Sequence, residues 1–156
     1  AIFAGIYFWF PKITGKRMNE LLGKIHFFFS FIFMNGIFMP MFIQGLAGVS
    51  RRLADGGVSY AHAQGVLEWN SFMSYSAWGL GLAQIPFFIN FFMTIYKKRE
   101  ENPDRNPWHA TTLEWHAAPS PPVGHGNFDK ELTVYRGPYE YSVPGADKDF
   151  SPQIEK

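Results

Sequence analysis

An uninterrupted apolar stretch from Ile25 to Ser50 most constrains the fold of this 156-residue chain. Its 26 residues contain no Lys, Arg, Asp or Glu. A helix rising about 1.5 Å per residue needs only about 20 residues to cross a hydrocarbon core of about 30 Å. The stretch therefore predicts a transmembrane helix, and Arg51 and Arg52 follow it directly. Because guanidinium groups keep their charge and offer paired donors, this arginine pair predicts an anionic partner.

A second charge-free stretch of 28 residues runs from Trp69 to Tyr96, inside a hydrophobic element that begins near Val66. Aromatic residues stand at both of its ends, as is common where helices meet the membrane interface. Each long stretch contains one proline, Pro40 or Pro86, which removes a backbone hydrogen bond. Two transmembrane helices with proline kinks are therefore predicted.

The first residues predict part of a further helix. Ala1 to Phe10 are all apolar and end at Pro11. Ten residues are too few to span a bilayer, and the stretch lacks the basic start and the cleavage site of a signal peptide. We interpret residues 1–11 as the end of a transmembrane helix and expect the chain to be a fragment or the product of a split gene.

Composition divides the chain into a membrane part and a tail. Residues 1–96 have six basic and three acidic residues, whereas residues 97–156 have eight basic and ten acidic residues and eight of the eleven prolines. We predict an all-α membrane protein with a helix end at 1–11 and full helices at 25–49 and 66–96. The tail is predicted to be extended and irregular. Neither part has the dense basic face that binds nucleic acid.

The distribution of cations predicts the orientation in the membrane. Four basic residues lie between Pro11 and Lys24 and three follow Tyr96, whereas two lie in the intervening loop. Basic residues are enriched on the cytoplasmic side. We therefore place the connector and the tail in the cytoplasm, and Arg51 and Arg52 on the periplasmic side. A specific negative partner would explain arginines there; the alternative is that they snorkel to lipid phosphates.

No metal site is predicted from the ligands of this chain. It has no cysteine, which excludes disulfides and thiolate ligands. No two of its histidines have the i, i+3 or i, i+4 spacing that places two imidazoles on one helix face. The five histidines are His26, His62, His109, His116 and His125.

Three positions in the membrane part have both a structural and a functional interpretation. For Asn35 we favour a packing contact between helices over a role in a proton path or cofactor site. For Glu68 we favour an exposed acid at a helix start over a part in proton exit. Gly79-Leu80-Gly81 half-matches a nucleotide fingerprint, but its place inside a membrane stretch favours close helix packing.

Short motifs along residues 1–128 resemble, in order and spacing, the C-terminal part of subunit I of the haem-copper oxidases, specifically the cytochrome c oxidases. The motifs are Trp9-Phe10-Pro11-Lys12, Thr14-Gly15, Gly23-Lys24, His26-Phe27, Asn35, Phe38, Pro40, Gly45-Leu46, Gly48, Arg51-Arg52, Trp69-Asn70, Asn106-Pro107-Trp108, Leu113-Glu114-Trp115 and Pro119-Ser120-Pro121-Pro122.

The resemblance implies that the three elements are the end of helix ten and all of helices eleven and twelve in a twelve-helix bundle. It implies that Arg51 and Arg52 bind the propionates of the low-spin and high-spin haems. The haem and copper ligands of the full enzyme would precede Ala1, so this segment alone would hold no metal and no catalytic residue. His26 matches the family's Lys-x-His-Phe motif and is expected to be hydrogen-bonded.

The resemblance also implies a terminal respiratory oxidase of the bacterial inner membrane that reduces O₂ to water and pumps protons. Its expected partners are the rest of subunit I, subunits II and III, membrane lipid, and cytochrome c as electron donor. Two alternatives stay open here. One is a quinol oxidase of the same family, and the other is a haem-free membrane anchor or assembly subunit.

The chain also departs from the family pattern. Gln44 stands at a usually apolar place, and Val49-Ser50 precede the arginines where Met-Pro is common. These changes predict altered hydrogen bonding at the outer surface. The segment Tyr135 to Tyr141 extends past the ordinary family end and is expected to contact a partner subunit.

Overall fold

The computed structural model describes residues 1–98, 104–122, 128, 131–140, 142, 144–145, 147 and 150–155. Its elements are α1 (Ile2–Thr14), α2 (Glu20–Leu46), a 3₁₀ helix (Ala61–Val66), α3 (Trp69–Ala83), α4 (Ile85–Tyr96) and α5 (Leu113–His116). No strand occurs in the described ranges, which confirms the all-α prediction. His125 and Tyr141 lie outside the described residues, as does Arg99, one of the three basic residues that follow Tyr96.

Two stretches are long and apolar enough to cross a membrane, Glu20–Leu46 and Trp69–Tyr96. The first is α2, which begins in the polar connector, ahead of the apolar stretch. Asn19 explains this start, because its side-chain oxygen accepts a hydrogen bond of 3.0 Å from the Leu22 N–H and so satisfies one free donor of the first turn. Lys24 then pairs with Glu20 at 2.8 Å.

The second stretch is two helices joined at Gln84, where the sequence predicted one kinked element. Pro86 is the second residue of α4. It has no N–H to offer to the Leu82 carbonyl, so the regular ladder stops there. At the joint, the Gln84 N–H donates to the carbonyl of Gly81, three residues earlier, at 3.2 Å. Pro40, in contrast, lies inside α2, which continues past it to Leu46.

α2 and the α3–α4 stretch pack against each other in antiparallel directions. His26 Nε2 donates to Gln84 Oε1 at 2.9 Å, near one end of the pair. Further along the helix pair, Gly79 of α3 faces Phe33 of α2. A Cβ added to Gly79 would lie 2.5 Å from the Phe33 ring. The His26 contact confirms the prediction that this histidine is hydrogen-bonded. Small residues let the two backbones approach closely, as membrane helix pairs require.

Asn35 makes a hydrogen bond within its own helix, and its packing contact with another helix stays a prediction. Its amide donates to the carbonyl of Phe31 at 2.8 Å, one turn earlier in α2 itself. This bond uses one of the two amide hydrogens. Large aromatic residues of α2, such as Phe27 and Phe31, are mostly exposed in this chain.

The chain divides into two units, one formed by residues 19–93 and the other by residues 1–18 with 94–156. In the second unit the tail packs on α1. Trp115 is 1% exposed, stacks on Trp9 at 5.7 Å and meets the Phe8 ring edge-on at 5.2 Å. The Lys12 ammonium donates to the Ala118 carbonyl at 3.0 Å. Trp115 is therefore buried within its own unit.

The end of the tail folds back on the segment that includes Tyr135 and Arg136. The Tyr135 N–H donates to the Gln153 carbonyl at 2.9 Å, and Arg136 donates to the Pro152 carbonyl at 3.1 Å. Gln153 in turn accepts from the Leu113 N–H at 3.2 Å. The described part of this segment thus has partners within the chain, in addition to any subunit it contacts.

Candidate functional site

The loop between α2 and α3 carries the two arginines. Both side chains are exposed, and within the described residues neither guanidinium is paired with a carboxylate. Arg51 Nη2 lies 3.7 Å from the sulfur of Met41, which is only a weak acceptor. Arg52 has a φ of 63°, a left-handed conformation that is uncommon for residues other than glycine. Such conformations concentrate at functional sites.

Both arginines line a cavity of about 1150 Å³. This volume exceeds the roughly 300–1,000 Å³ of typical small-molecule sites. The wall from α2 is apolar and includes Phe38, Met41 and Phe42. The site therefore combines an apolar wall with two cations, an arrangement that fits a large apolar group bearing carboxylates.

A network of side-chain amides connects the loop to α2 and α3. Gln44, near the end of α2, is 7% exposed. Its Nε2 donates to the Val66 carbonyl at 3.0 Å and to Asn70 Oδ1 at 2.9 Å. Asn70 Nδ2 donates to the Gly56 carbonyl at 3.1 Å. The sequence comparison with the family singled out Gln44 as unusual, but its partners could not be derived from the sequence.

Asp55 organises the next turn of the loop. Its carboxylate accepts hydrogen bonds from the N–H groups of Gly57 at 3.0 Å and Ser59 at 2.9 Å, and from the Ser59 hydroxyl. These bonds, with that of the hydroxyl foremost, lower the pKa of Asp55 to about 2. Asp55 is therefore ionised at neutral pH, and its charge is engaged by its own turn.

Gly48 makes the tight exit from α2 possible. Its φ of 84° lies in the left-handed region, where glycine carries no Cβ penalty. A Cβ at this position would also lie 3.1 Å from His62 Nε2. The loop histidine thus packs close to the backbone just before the arginines.

The other predicted positions are not among the residues that line this cavity. Glu68 is exposed just before α3, as the helix-start interpretation requires; its role in proton exit stays untested. His26 lies at the opposite end of α2, and His109 and His116 belong to the tail unit. Among the described residues, no group of three or more His, Asp or Glu side chains could hold a metal ion.

Comparisons with known proteins agree with the resemblance seen in the motifs. The family model for cytochrome c and quinol oxidase polypeptide I matches residues 1–82. The alternative cytochrome c oxidase subunit 1 of Bradyrhizobium diazoefficiens is 42% identical over 153 residues, 97% of this chain and 25% of the relative. Cytochrome c oxidase subunit 1 of a Synechocystis species is 43% identical over 143 residues, 92% of this chain and 24% of the relative.

These comparisons also fix the extent of the similarity. The chain spans about a quarter of the length of these two relatives. The match with the Bradyrhizobium protein covers all but a few residues, so it includes Tyr135 to Tyr141, a segment that we had placed beyond the ordinary family end. More than half of the chain matches the family model. The chain belongs to the cytochrome c and quinol oxidase polypeptide I family, the membrane-embedded subunit I of the haem-copper oxidases.

Proposed function

We propose that this chain is the C-terminal segment of subunit I of a terminal respiratory oxidase and that Arg51 and Arg52 bind haem propionates. The observation that carries the proposal is the pair of guanidiniums that line a large cavity and have no carboxylate partner among the described residues. When bound, haem and copper supply the redox chemistry of O₂ reduction. The residues of this chain supply charge and an apolar wall.

The arginine pair fits propionates better than it fits lipid phosphates. The cavity that it lines has aromatic and thioether side chains, Phe38, Phe42 and Met41, along one wall. Such walls suit the flat apolar face of a porphyrin. Two neighbouring guanidiniums can each offer paired donors to a carboxylate. In this role they neutralise negative charge that would be costly to bury.

The first test replaces the arginines in the full-length subunit within the assembled oxidase. Arg51→Gln and Arg52→Gln should each lower the midpoint potential of a haem, because loss of a nearby positive charge favours the oxidised form. Each lost charge-assisted hydrogen bond is worth about 1.5–3 kcal/mol. Redox titration followed by haem absorbance measures the shift.

Lys24→Gln is the matched control for this test. Lys24 is an exposed cation at the other end of α2, where it pairs with Glu20, and its replacement should leave both haem potentials unchanged. Arg51→Lys and Arg52→Lys should give smaller shifts than glutamine, because the charge remains but the paired donors are lost. Unaltered potentials in all four arginine variants would overturn the proposal.

We further propose cytochrome c as the electron donor and the bacterial inner membrane as the location, with the tail cytoplasmic and the arginine loop periplasmic. The names of the relatives, which are cytochrome c oxidase subunits, favour this donor over quinol. The assembled oxidase should oxidise reduced cytochrome c and fail to oxidise a soluble quinol. The reverse result would make it a quinol oxidase. The rest of subunit I and subunits II and III are the proposed partners.

A further inference from the structure

Gln44 is a buried polar residue at the end of a membrane-spanning helix. The residue is 7% exposed, and a buried amide is costly unless it is hydrogen-bonded. Its Nε2 has two acceptors, the Val66 carbonyl at 3.0 Å and Asn70 Oδ1 at 2.9 Å. Both amide hydrogens of Gln44 are therefore used: one bond reaches the end of the 3₁₀ helix in the loop and the other reaches the first turn of α3.

Asn70 extends this connection into the middle of the loop. Its Nδ2 donates to the Gly56 carbonyl at 3.1 Å. Gln44 precedes the arginines in the chain and Gly56 follows them. The hydrogen bonds of Gln44 and Asn70 therefore link the two chain segments that flank Arg51 and Arg52. Gln44, Asn70 and Gly56 also line the cavity that the arginines line. Displacing the network would displace the backbone that carries the guanidiniums.

We propose that Gln44 is a positioning residue for the arginine pair: through Asn70 it fixes the loop and thereby sets the haem potentials. The inference rests on the proposed function, since it takes the arginines as the propionate-binding groups. The interaction between two charges depends on their separation, and depends on it most where water is excluded. A loop held less tightly would therefore weaken the effect of the guanidiniums without removing their charge.

The test uses Gln44→Met in the full-length subunit of the assembled oxidase. Methionine is unbranched and of similar length, so it fills the space without donating hydrogen bonds. Haem content should be retained. The ratio of reduced to oxidised haem at a fixed ambient potential should change by about two- to tenfold, the effect of one hydrogen bond on an equilibrium constant. The midpoint potential of the haem should shift in the same direction as in Arg51→Gln.

Asn70→Leu provides an independent variant that breaks the same network, and it carries the test if Gln44→Met does not assemble. It should shift the potential in the same direction. The double variant should shift it no further than the larger single change, because residues in one network are not additive. Hydrogen exchange of residues 47–60 should be faster in both single variants.

Two glutamines of this chain serve as matched controls. Gln84 also bonds across the helix pair, to His26, but its contact lies 18 residues of α2 away from Gln44, roughly 27 Å. The Gln64 side chain donates within the loop, to the Val58 and Tyr60 carbonyls. Gln84→Met and Gln64→Met should leave the haem potentials unchanged. If Gln84→Met shifts them as much as Gln44→Met, the effect is general destabilisation and the inference fails.

The outcomes separate this inference from the proposed function. If the arginine variants shift the potentials and Gln44→Met and Asn70→Leu do not, the positioning role is wrong and propionate binding stands. If neither set shifts them, both proposals are wrong.

Discussion

Replacing Trp115 by alanine is expected to release the tail from α1. Trp115 is 1% exposed and contacts Phe8 and Trp9 through ring faces and edges. Truncation of a buried tryptophan typically costs about 3–5 kcal/mol. The loss of stability should be confined to this unit, because the contacts of Trp115 with Phe8 and Trp9 lie within it. Hydrogen exchange and limited proteolysis of residues 104–122 in the full-length protein should both become faster by at least about 100-fold.

Trp115→Phe is the informative comparison. The indole Nε1 is buried and has no hydrogen-bond partner in the described part of the chain. Phenylalanine therefore removes no hydrogen bond and keeps an aromatic ring in the cluster, so it should cost clearly less stability than alanine does. A phenylalanine variant as unstable as the alanine variant would contradict this account. Unchanged exchange in Trp115→Ala would show that the cluster does not hold the tail.

Replacing Gly79 by alanine is expected to destabilise the helix pair by about 1–3 kcal/mol through overpacking. A Cβ at Gly79 would lie 2.5 Å from Cε1 of Phe33, closer than real Cβ atoms come to other atoms. Either the ring must leave its position or α2 and α3 must separate. The apparent melting temperature of the purified full-length protein should fall.

Gly81 offers a matched control two residues away. Among the described residues, a Cβ at Gly81 meets nothing within 4 Å, so Gly81→Ala should leave the melting temperature unchanged or raise it slightly through better helix propensity. Phe33→Leu should recover part of the stability of Gly79→Ala, because the smaller side chain makes room for the methyl group. Equal effects of alanine at both glycines would contradict the close-approach explanation.

The two glycines show how far sequence reasoning reaches. Gly79-Leu80-Gly81 was assigned to close helix packing on the basis of its place in an apolar stretch. The structure supports that role for Gly79, whereas a Cβ at Gly81 would contact none of the described residues. Composition and position cannot separate the two, because helical phase relative to a partner helix depends on how the helices pack.

Hydrogen-bond partners show the same limit. The sequence identified Asn35 and Gln44 as polar residues in an apolar helix, and each could have crossed to another helix. Asn35 bonds to its own helix, while Gln44 bonds to Asn70, 26 residues away. Only the tertiary structure distinguishes these cases, because local and long-range acceptors satisfy an amide equally well.

The sequence by itself determined that the chain is helical, that two stretches can cross a membrane, and that an arginine pair follows the first. These features depend on the composition and length of continuous segments, and hydrophobic burial and backbone satisfaction act on such segments directly. The tertiary structure decided which side chains surround the arginines, where the third element breaks and how the tail packs on α1. Those outcomes depend on contacts between residues far apart in the chain, and local sequence patterns do not predict such contacts.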